Sequence, residues 1–546
     1  MIARPSGKKR KIARRQKNVI VDIIIYFVRR VSAPVSRYFF APDPKSLLFS
    51  SQLYNLGEDL AKAHKATKIK TVVGNPGTKI PIAPKVTQSR PRPIQHIRFI
   101  LRIVIEKSLH YKVLYKTHPH NIYCIIYKMM NWQSINGQAL KYLQDYLQLD
   151  TSNPPGNEYL ASDYFESILK KEGIETQTFT TAPGRKILYA KITGTEKNNG
   201  LMLSGHSDVV PVERDKWTVE PFGGEIIENR IYGRGAIDMK SCTVMQFIAF
   251  LLINKQEKAI NRDLIFCVTP DEEIGSKFGM AWLVENHPEL LEIEYALNEG
   301  GYGFRDIEIN KAPIFGIGIA EKKLCWIKVT AIGSPGHGSQ PNPSNATVQL
   351  NIALEKIISW QQSNYQETFQ NDYIQSDDIT DKELIAMNQI TMNITRMQAG
   401  YKHNVIPAKA EAVLDCRLPH SVSYQELISK LNDIIDNNEI LIDIISADEE
   451  ALTATCDWET ELIQIMKSQI NNHYNGATVF PLTSAYGTDN RFLRSRGINA
   501  YGFIPGLFSS EERSGFHNHD EYITTENFLM GCKMMYGIIA ELCLSD

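Results

Sequence analysis

The chain has 546 residues, of which 43% are apolar, 22% charged and 9% aromatic, a composition that excludes disordered, collagen-like and membrane-embedded classes and predicts about three globular domains. Its formal net charge of −1 hides a split: residues 1–130 carry 26 Lys+Arg against 5 Asp+Glu, a net of +21, and the other 416 residues carry 34 against 56, a net of −22. Eight single cysteines without a CxxC pair exclude a disulfide framework and predict reduced, buried thiols in a cytoplasmic protein.

The first 130 residues include GKKRKIARRQK, a basic cluster able to meet phosphate backbones, so nucleic-acid binding through this segment is the reading from another class. Against it, the segment has no zinc-finger spacing, no RNP aromatic pattern and no recognition-helix pair, and residues 70–93 are proline-rich without periodicity. The longest early apolar run, Val19 to Val28, is half of the ~20 residues a membrane helix needs and contains Asp22, and no A-x-A cleavage pattern follows. A soluble protein without a membrane partner is therefore expected. Met129 or Met130 leads directly into NWQSINGQALKYLQDYLQLDTS, an amphipathic helix with Ile135, Leu140, Leu143 and Leu147 on its apolar face. That junction reads as a natural N-terminus, so residues 1–130 are expected to be a poorly ordered basic extension or a misassigned start.

From about residue 155 to 300, short apolar runs end in polar residues: Leu201–Leu203 before Ser204-Gly205-His206, Leu264–Val268 before Thr269-Pro270-Asp271, and Tyr295–Leu297 before Asn298-Glu299. Alternating with helical stretches such as 241–254, they predict an α/β fold whose polar residues gather at the carboxyl ends of the strands. From about 318 the texture changes. Lys323–Ile332 and Ala410–Leu418 read as strands, Asn345–Trp360 as a helix, and the polar stretch Gln361–Asp381 as a surface insertion. A smaller α/β domain over 318–430 is thus expected to interrupt a larger one made of 131–317 and 431–546, where helical patterns resume and the last strand signal surrounds Ala500–Ile504.

His206, Asp238, Glu273, Glu299 and His517 are residue types that suit a two-metal site, since a borderline cation binds imidazole and carboxylate, and a close pair of cations needs a bridging ligand. Each sits in a distinctive string: GHSDVVPV (205–212), YGRGAIDMK (232–240), TPDEEIG (269–275), NEGG (298–301) and HNHDE (517–521). Together these strings resemble the co-catalytic zinc peptidases and deacylases that include acetylornithine deacetylase, succinyl-diaminopimelate desuccinylase, aminoacylase and carboxypeptidase G, over roughly residues 131–546.

The resemblance implies a zinc-peptidase catalytic domain with an inserted dimerisation (lid) domain, a homodimer, and two zinc ions that cobalt or manganese can replace. It implies that His206, Asp238 and Glu299 hold one ion and Asp238, Glu273 and His517 the other. Glu272 matches the general base, Asp208 the carboxylate that orients His206, and His337, in GSPGHGSQP (333–341), a donor to the oxyanion reaching into a partner subunit. NVIP (404–407) and DCRLP (415–419) match positions from which Asn404 and Arg417 contact substrate, an arginine being suited to grip a carboxylate with two parallel bonds. Arg491, in GTDNRFLRSRGINAYGF (487–503), is a weaker substrate candidate. His519 is passed over for His517 because the family's ligand lies four residues before the motif glutamate, here Glu521. The expected activity is hydrolysis of an amide in an N-acyl amino acid or small peptide with a free carboxylate, carboxypeptidase-like or aminoacylase-like. The alternatives are acetylornithine deacetylation and succinyl-diaminopimelate desuccinylation.

Overall fold

The computed structural model describes residues 130–544 except 198, 257, 366–371, 375–378 and 449. Met130 apart, the basic segment 1–130 and the readings attached to it lie outside the described residues.

Helix α1 (Trp132–Leu147) begins where the Asn131 side chain accepts the Ser134 N–H at 3.4 Å, and it buries Ala139, Leu143, Tyr146 and Leu147 at helical spacing. Helix α2 (Tyr159–Lys171) follows, and then the strands β1 (Thr176–Ala182), β2 (Arg185–Ile192) and β3 (Gly200–His206). A hairpin, β4 (Ile226–Ile227) and β5 (Arg230–Tyr232), leads to α3 (Lys240–Asn254). Next come β6 (Leu264–Thr269), α4 (Met280–Asn286), β7 (Ile293–Asn298), β8 (Gly303–Ile309) and β9 (Ala312–Glu321).

Every residue of β3 and β6 is buried, as continuous apolar runs require when both sheet faces are covered. Strand β6 pairs with β3, and β3 with β7, all parallel, so the polar residues that follow these strands emerge on one rim of the sheet. Helix α3 is buried nearly all round because it lies under the sheet and against other helices. There Phe247 meets Phe165 edge-on at 4.8 Å and Phe266 at a tilt at 5.1 Å between ring centroids, contacts that add about 0.5–1.5 kcal/mol each beyond buried area.

A second core belongs to the small domain. Its elements are β10 (Lys323–Ile332), the short β11 (Gly336–His337), α5 (Ala346–Ser363), α6 (Lys382–Asn388), β12 (Thr391–Ala399), β13 (Val405–Ile406), β14 (Lys409–Leu418), α7 (Tyr424–Ile435) and β15 (Ile440–Ala447). The antiparallel sheet order is β12-β14-β10-β15. Strand β14 buries every second residue, and α5 and α7 cover that face.

The chain then returns to the large domain through α8 (Glu461–His473), β16 (Thr478–Ser484), α9 (Asn490–Arg494), β17 (Asn499–Gly502), β18 (Leu507–Phe508), α10 (Ser510–Arg513), β19 (Tyr522–Thr524) and α11 (Thr525–Cys543). The large sheet runs β1-β2-β6-β3-β7-β17-β9-β8-β18, with β16 beside β9. This is the predicted α/β architecture, a large domain interrupted by a smaller one.

Three details differ from expectation. The stretch 361–381 is not wholly a surface insertion: Ile374 and Ile379 are 5% exposed in the large core, and α6 adds Leu384, Ile385 and Met387 to it. Isolated isoleucines in a polar run carry no period by which to see this. Strand β15 pairs with β10, so the small sheet extends beyond residue 430. Strands β15 and β16 lie where helical patterns were expected, because a short apolar run such as ILIDIIS fits either period. Among the described residues no helix is long and apolar enough to cross a membrane, and the seven described cysteines are buried and free.

Candidate metal centre

His206 is the last residue of β3 and is 1% exposed. Gly205 before it allows α3 to approach, since a Cβ there would lie 2.4 Å from Thr243 Oγ1. His206 Nε2 lies 3.0 Å from Asp238 Oδ1 and 3.4 Å from Glu299 Oε1. The other Asp238 oxygen, Oδ2, is 3.0 Å from His517 Nε2, which is 3.1 Å from Glu273 Oε2. Two donor groups therefore share Asp238: His206, Asp238 and Glu299, and Asp238, Glu273 and His517, each with its ligand atoms within 4.8 Å of one another. The topology explains the convergence, because His206, Glu273 and Glu299 end or follow the parallel neighbours β3, β6 and β7.

Asp238 lies in a loop between β5 and α3, and Glu521 fixes that loop. The Glu521 carboxylate is fully buried and accepts from the N–H groups of Gly235 at 2.9 Å, Ile237 at 2.8 Å and Asp238 at 3.2 Å, and from Arg234 Nη1 at 2.8 Å. Four donors satisfy a charge that would be costly to bury alone. The sequence offered Glu521 only as the motif residue used to count back to His517. Its neighbour Asp520 accepts from the Thr218 N–H and hydroxyl at 2.8 Å each, tying the loop around Trp217 to the same motif.

Asp208 acts differently from expectation. His206 Nδ1 is 2.9 Å from the Asp208 main-chain oxygen but 3.6 Å from its carboxylate, so the carbonyl holds the imidazole. The carboxylate instead accepts from the Glu272 N–H at 3.0 Å and the Glu273 N–H at 3.1 Å and so fixes the turn that presents both glutamates. Asp489 braces that turn from the far side, accepting from Thr269 Oγ1 at 2.8 Å and from Ser276 Oγ. Asp489, in the GTDN string, and Asn153, whose Nδ2 donates to Asp208 at 2.8 Å, are functional neighbours that sequence reasoning missed. Only their positions in ordered polar strings hinted at them.

The electrostatics of the cluster call for cations. Burial raises Glu299 to about 8, helped by the Asp238 charge and opposed by His206. Burial also pushes Glu272 well above the carboxylate range, against His206 and with Glu299, Asp489 and Glu273 adding to the push. Glu273 is raised by burial and by Asp238. Hydrogen bonds to Asp238 and Glu273 raise His517 to about 10. Glu273 Oε1 is buried with no hydrogen-bond partner, and imidazole nitrogens and carboxylate oxygens converge around Asp238, so the donor set fits a pair of borderline cations.

The remaining expected residues lie outside this cluster's hydrogen-bond network. His337 is exposed on β11, its Nδ1 2.7 Å from Ser339 Oγ. Asn404 is exposed beside it, its carbonyl accepting from Gly338 N–H at 2.8 Å, so these two lie at one small antiparallel pair, β11 with β13, of the small domain. Arg417 already has a partner: its Nε and Nη2 donate to Asp415 at 2.8 and 3.3 Å, which engages its fork internally. Arg491 has a buried Nε with no hydrogen-bond partner, and its Nη1 is 3.9 Å from Asp448. His519 lies 3.7 Å from Glu213 and joins neither donor group. His287 packs on Phe179 at 4.4 Å, a structural role.

Residues 202–541 match the sequence pattern of peptidase family M20/M25/M40. The chain is 26% identical to human (Homo sapiens) aminoacylase-1 over 414 residues, covering 74% of this chain and 95% of that one. It is 29% identical to a probable carboxypeptidase S-like 1 of Dictyostelium discoideum over 361 residues, covering 62% and 72% respectively. Among solved structures, an M20 family metallo-carboxypeptidase from Sulfolobus solfataricus shares its fold, with a TM-score of 0.53 at 20% identity over 73% of this chain and 98% of that one. With candidate metal-ligand groups at the rim of its large sheet, the chain belongs to peptidase family M20/M25/M40 and is a hydrolase of amide bonds.

Proposed function

We propose that this protein hydrolyses the amide of an N-acyl amino acid or small peptide with a free carboxylate, and that it does so with two zinc ions. One is held by His206, Asp238 and Glu299, the other by Asp238, Glu273 and His517. The observation that carries this reading is Asp238, whose two oxygens each lie 3.0 Å from the imidazole of a different donor group. When bound, the ions supply Lewis-acid polarisation of the scissile carbonyl. Glu272, on the turn fixed by Asp208, takes the proton of the attacking water and returns it to the leaving nitrogen. The Asp208 carbonyl accepts from His206 Nδ1, a tautomer that leaves Nε2 as the nitrogen that would serve as a ligand atom.

The substrate's carboxylate is assigned to Arg491, whose Nη1 is 3.9 Å from Asp448 and so beyond a hydrogen bond to it, ahead of Arg417, whose fork is engaged by Asp415; Asn404 is kept as a substrate contact. The likeness to aminoacylase-1 along nearly the whole of that chain supports acyl amino acids as substrates. A turnover panel tests this. Apolar N-acyl amino acids or dipeptides are expected to be hydrolysed faster than N-acetylornithine and N-succinyl-diaminopimelate, and capping the free carboxylate as an amide should lower kcat/KM by about 10–100-fold. Fastest turnover of either charged substrate would select the biosynthetic alternatives. The large domain is the catalytic part in this reading, so the chain from Met130 onward should retain the turnover.

The reading includes a homodimer in which the small domain is both interface and lid. Supporting it, Val348 and Ile352, one turn apart on α5, are 52% and 50% exposed, and His337 stands exposed on β11 and belongs to neither donor group of its own chain. Ile352→Asp is expected to halve the mass measured by light scattering and to lower kcat; an unchanged mass would count against the dimer. A cytoplasmic location fits the free, buried cysteines, and cell fractionation tests it.

A further inference from the structure

Behind the Glu272–Glu273 turn lies a buried polar chain that the catalytic reading does not use. Arg185, the first residue of β2, is 6% exposed. Its Nη1 pairs with Glu158 and lies 3.2 Å from Asp271 Oδ1, and its Nη2 donates to Asn153 Oδ1 at 2.7 Å. Asn153 is 1% exposed and passes the contact on, donating through Nδ2 to Asp208 Oδ2 at 2.8 Å and more weakly to Asp271 Oδ1 at 3.4 Å. Asp208 in turn accepts the N–H groups of Glu272 and Glu273. Asp271, immediately before the pair, has a φ of +73°, a left-handed conformation disfavoured outside glycine, and its other oxygen accepts from the Phe278 N–H at 3.0 Å.

The backbone is shaped around this guanidinium. Gly156 has a φ of +88°, and a Cβ there would lie 2.3 Å from the Arg185 Cζ. Gly184 has a φ of +78°, and its Cβ would lie 2.5 Å from the Gly156 carbonyl oxygen. Arg185 is thus the cation between Glu158 and Asp271, and it reaches Asp208 through Asn153. Burial, with the Asp208 charge adding to it, raises Glu158 to about 7 even with Arg185 alongside.

The geometry points to Arg185 and Asn153 as positioning residues for the Glu272–Glu273 turn: they hold Asp208 and Asp271, whose carboxylates and strained backbone fix where the two glutamates sit. The inference rests on the proposed roles of Glu272 and Glu273 only for its catalytic consequence; the mechanical part stands without them. A side chain that holds a ligand's support in place typically matters 10–100-fold, so an effect of that size is expected.

The test combines two readouts on Asn153→Ala and Arg185→Gln, with Lys186→Gln, whose partners are Asp163 and Glu166, as neighbouring control. Amide hydrogen exchange of the metal-free protein should speed up by at least about tenfold in peptides covering 269–279, with little change elsewhere, because the Glu272 and Glu273 N–H groups lose a fixed acceptor. Steady-state kinetics should show kcat lowered by about 10–100-fold with KM within about twofold, and the control should change neither. Unchanged protection of 269–279 overturns the inference. So does loss of protection spread evenly along the chain, or local loss with kcat unaltered. Should Arg185→Gln fail to fold, Asn153→Ala decides by the same criteria. If the wild-type protein turns over no substrate of the panel, the functional reading fails while the exchange measurement still decides the positioning.

Discussion

Replacing Glu272 with glutamine is expected to lower amide turnover by about 10²–10⁴-fold while both cations stay bound and KM changes little. Glu272 and Glu273 are adjacent, and the Asp208 carboxylate fixes both of their amides. Only Glu273 belongs to a donor group, 3.1 Å from His517, which leaves the neighbouring carboxylate to handle protons. Burial raises the proton affinity of the Glu272 carboxylate, His206 opposing and the surrounding acids adding to the push. A group with high proton affinity is a competent carrier between water and a leaving amine. Glutamine preserves size and burial but can neither accept nor release that proton. Stopped-flow or steady-state assays, with metal content measured on the same samples, check this; a variant within tenfold of wild type would remove Glu272 from the role.

The second large effect is at Asp238. Asparagine is neutral and cannot offer a carboxylate oxygen to each of two cations, so Asp238→Asn should weaken both sites together and lower turnover by about 10³-fold or more, the equivalent of several kcal/mol of lost transition-state stabilisation. Stability should follow. Saturating one site at a hundred times its dissociation constant stabilises a fold by about 2.7 kcal/mol, and the variant forgoes that for both.

Stripped wild-type protein also has a distinctive pH dependence. Glu299 is raised from 4.5 to about 8, and His517 from 6.5 to about 10. Groups raised on folding bind protons more tightly folded than unfolded, so their contribution is complete below the ordinary values and is lost as pH climbs through the raised ones. Asp238 is lowered and works in the opposite sense, but in the acid range where carboxylates normally titrate. The Tm of metal-free protein should therefore fall between pH of about 5 and about 10, and the gain in Tm on adding zinc should widen over the same interval, as differential scanning calorimetry would show.

Much of this site is legible in the sequence because the chemistry falls at strand ends. Strands β3 and β6, buried throughout, and β7, buried from Tyr295 on, announce themselves as apolar runs, and the polar residues at the end of each run are the ones the sheet brings to its rim. The order of the five motifs then gives the donor residues, although not the split use of the Asp238 oxygens. What stayed hidden are contacts between residues far apart in sequence. Glu521 holds amides 283 to 286 positions away, and Arg185 reaches Asp271 from the start of β2. No local period or propensity encodes such a bond. The Asp208 carboxylate could be placed near His206 by spacing alone, yet only the folded turn shows that its partners are the Glu272 and Glu273 amides. Likewise Arg417 reads as a free guanidinium in DCRLP, while on β14 it is the alternation of side chains along the strand that brings it onto the same face as Asp415.

The most direct test of the account is to count metal ions in the wild-type protein and in Asp238→Asn after equilibration with zinc and removal of excess, by mass spectrometry under native conditions. The account predicts two ions per chain in the wild type and a loss of both in the variant. A single ion in the wild type, or two ions undisturbed by the substitution, would contradict a shared Asp238.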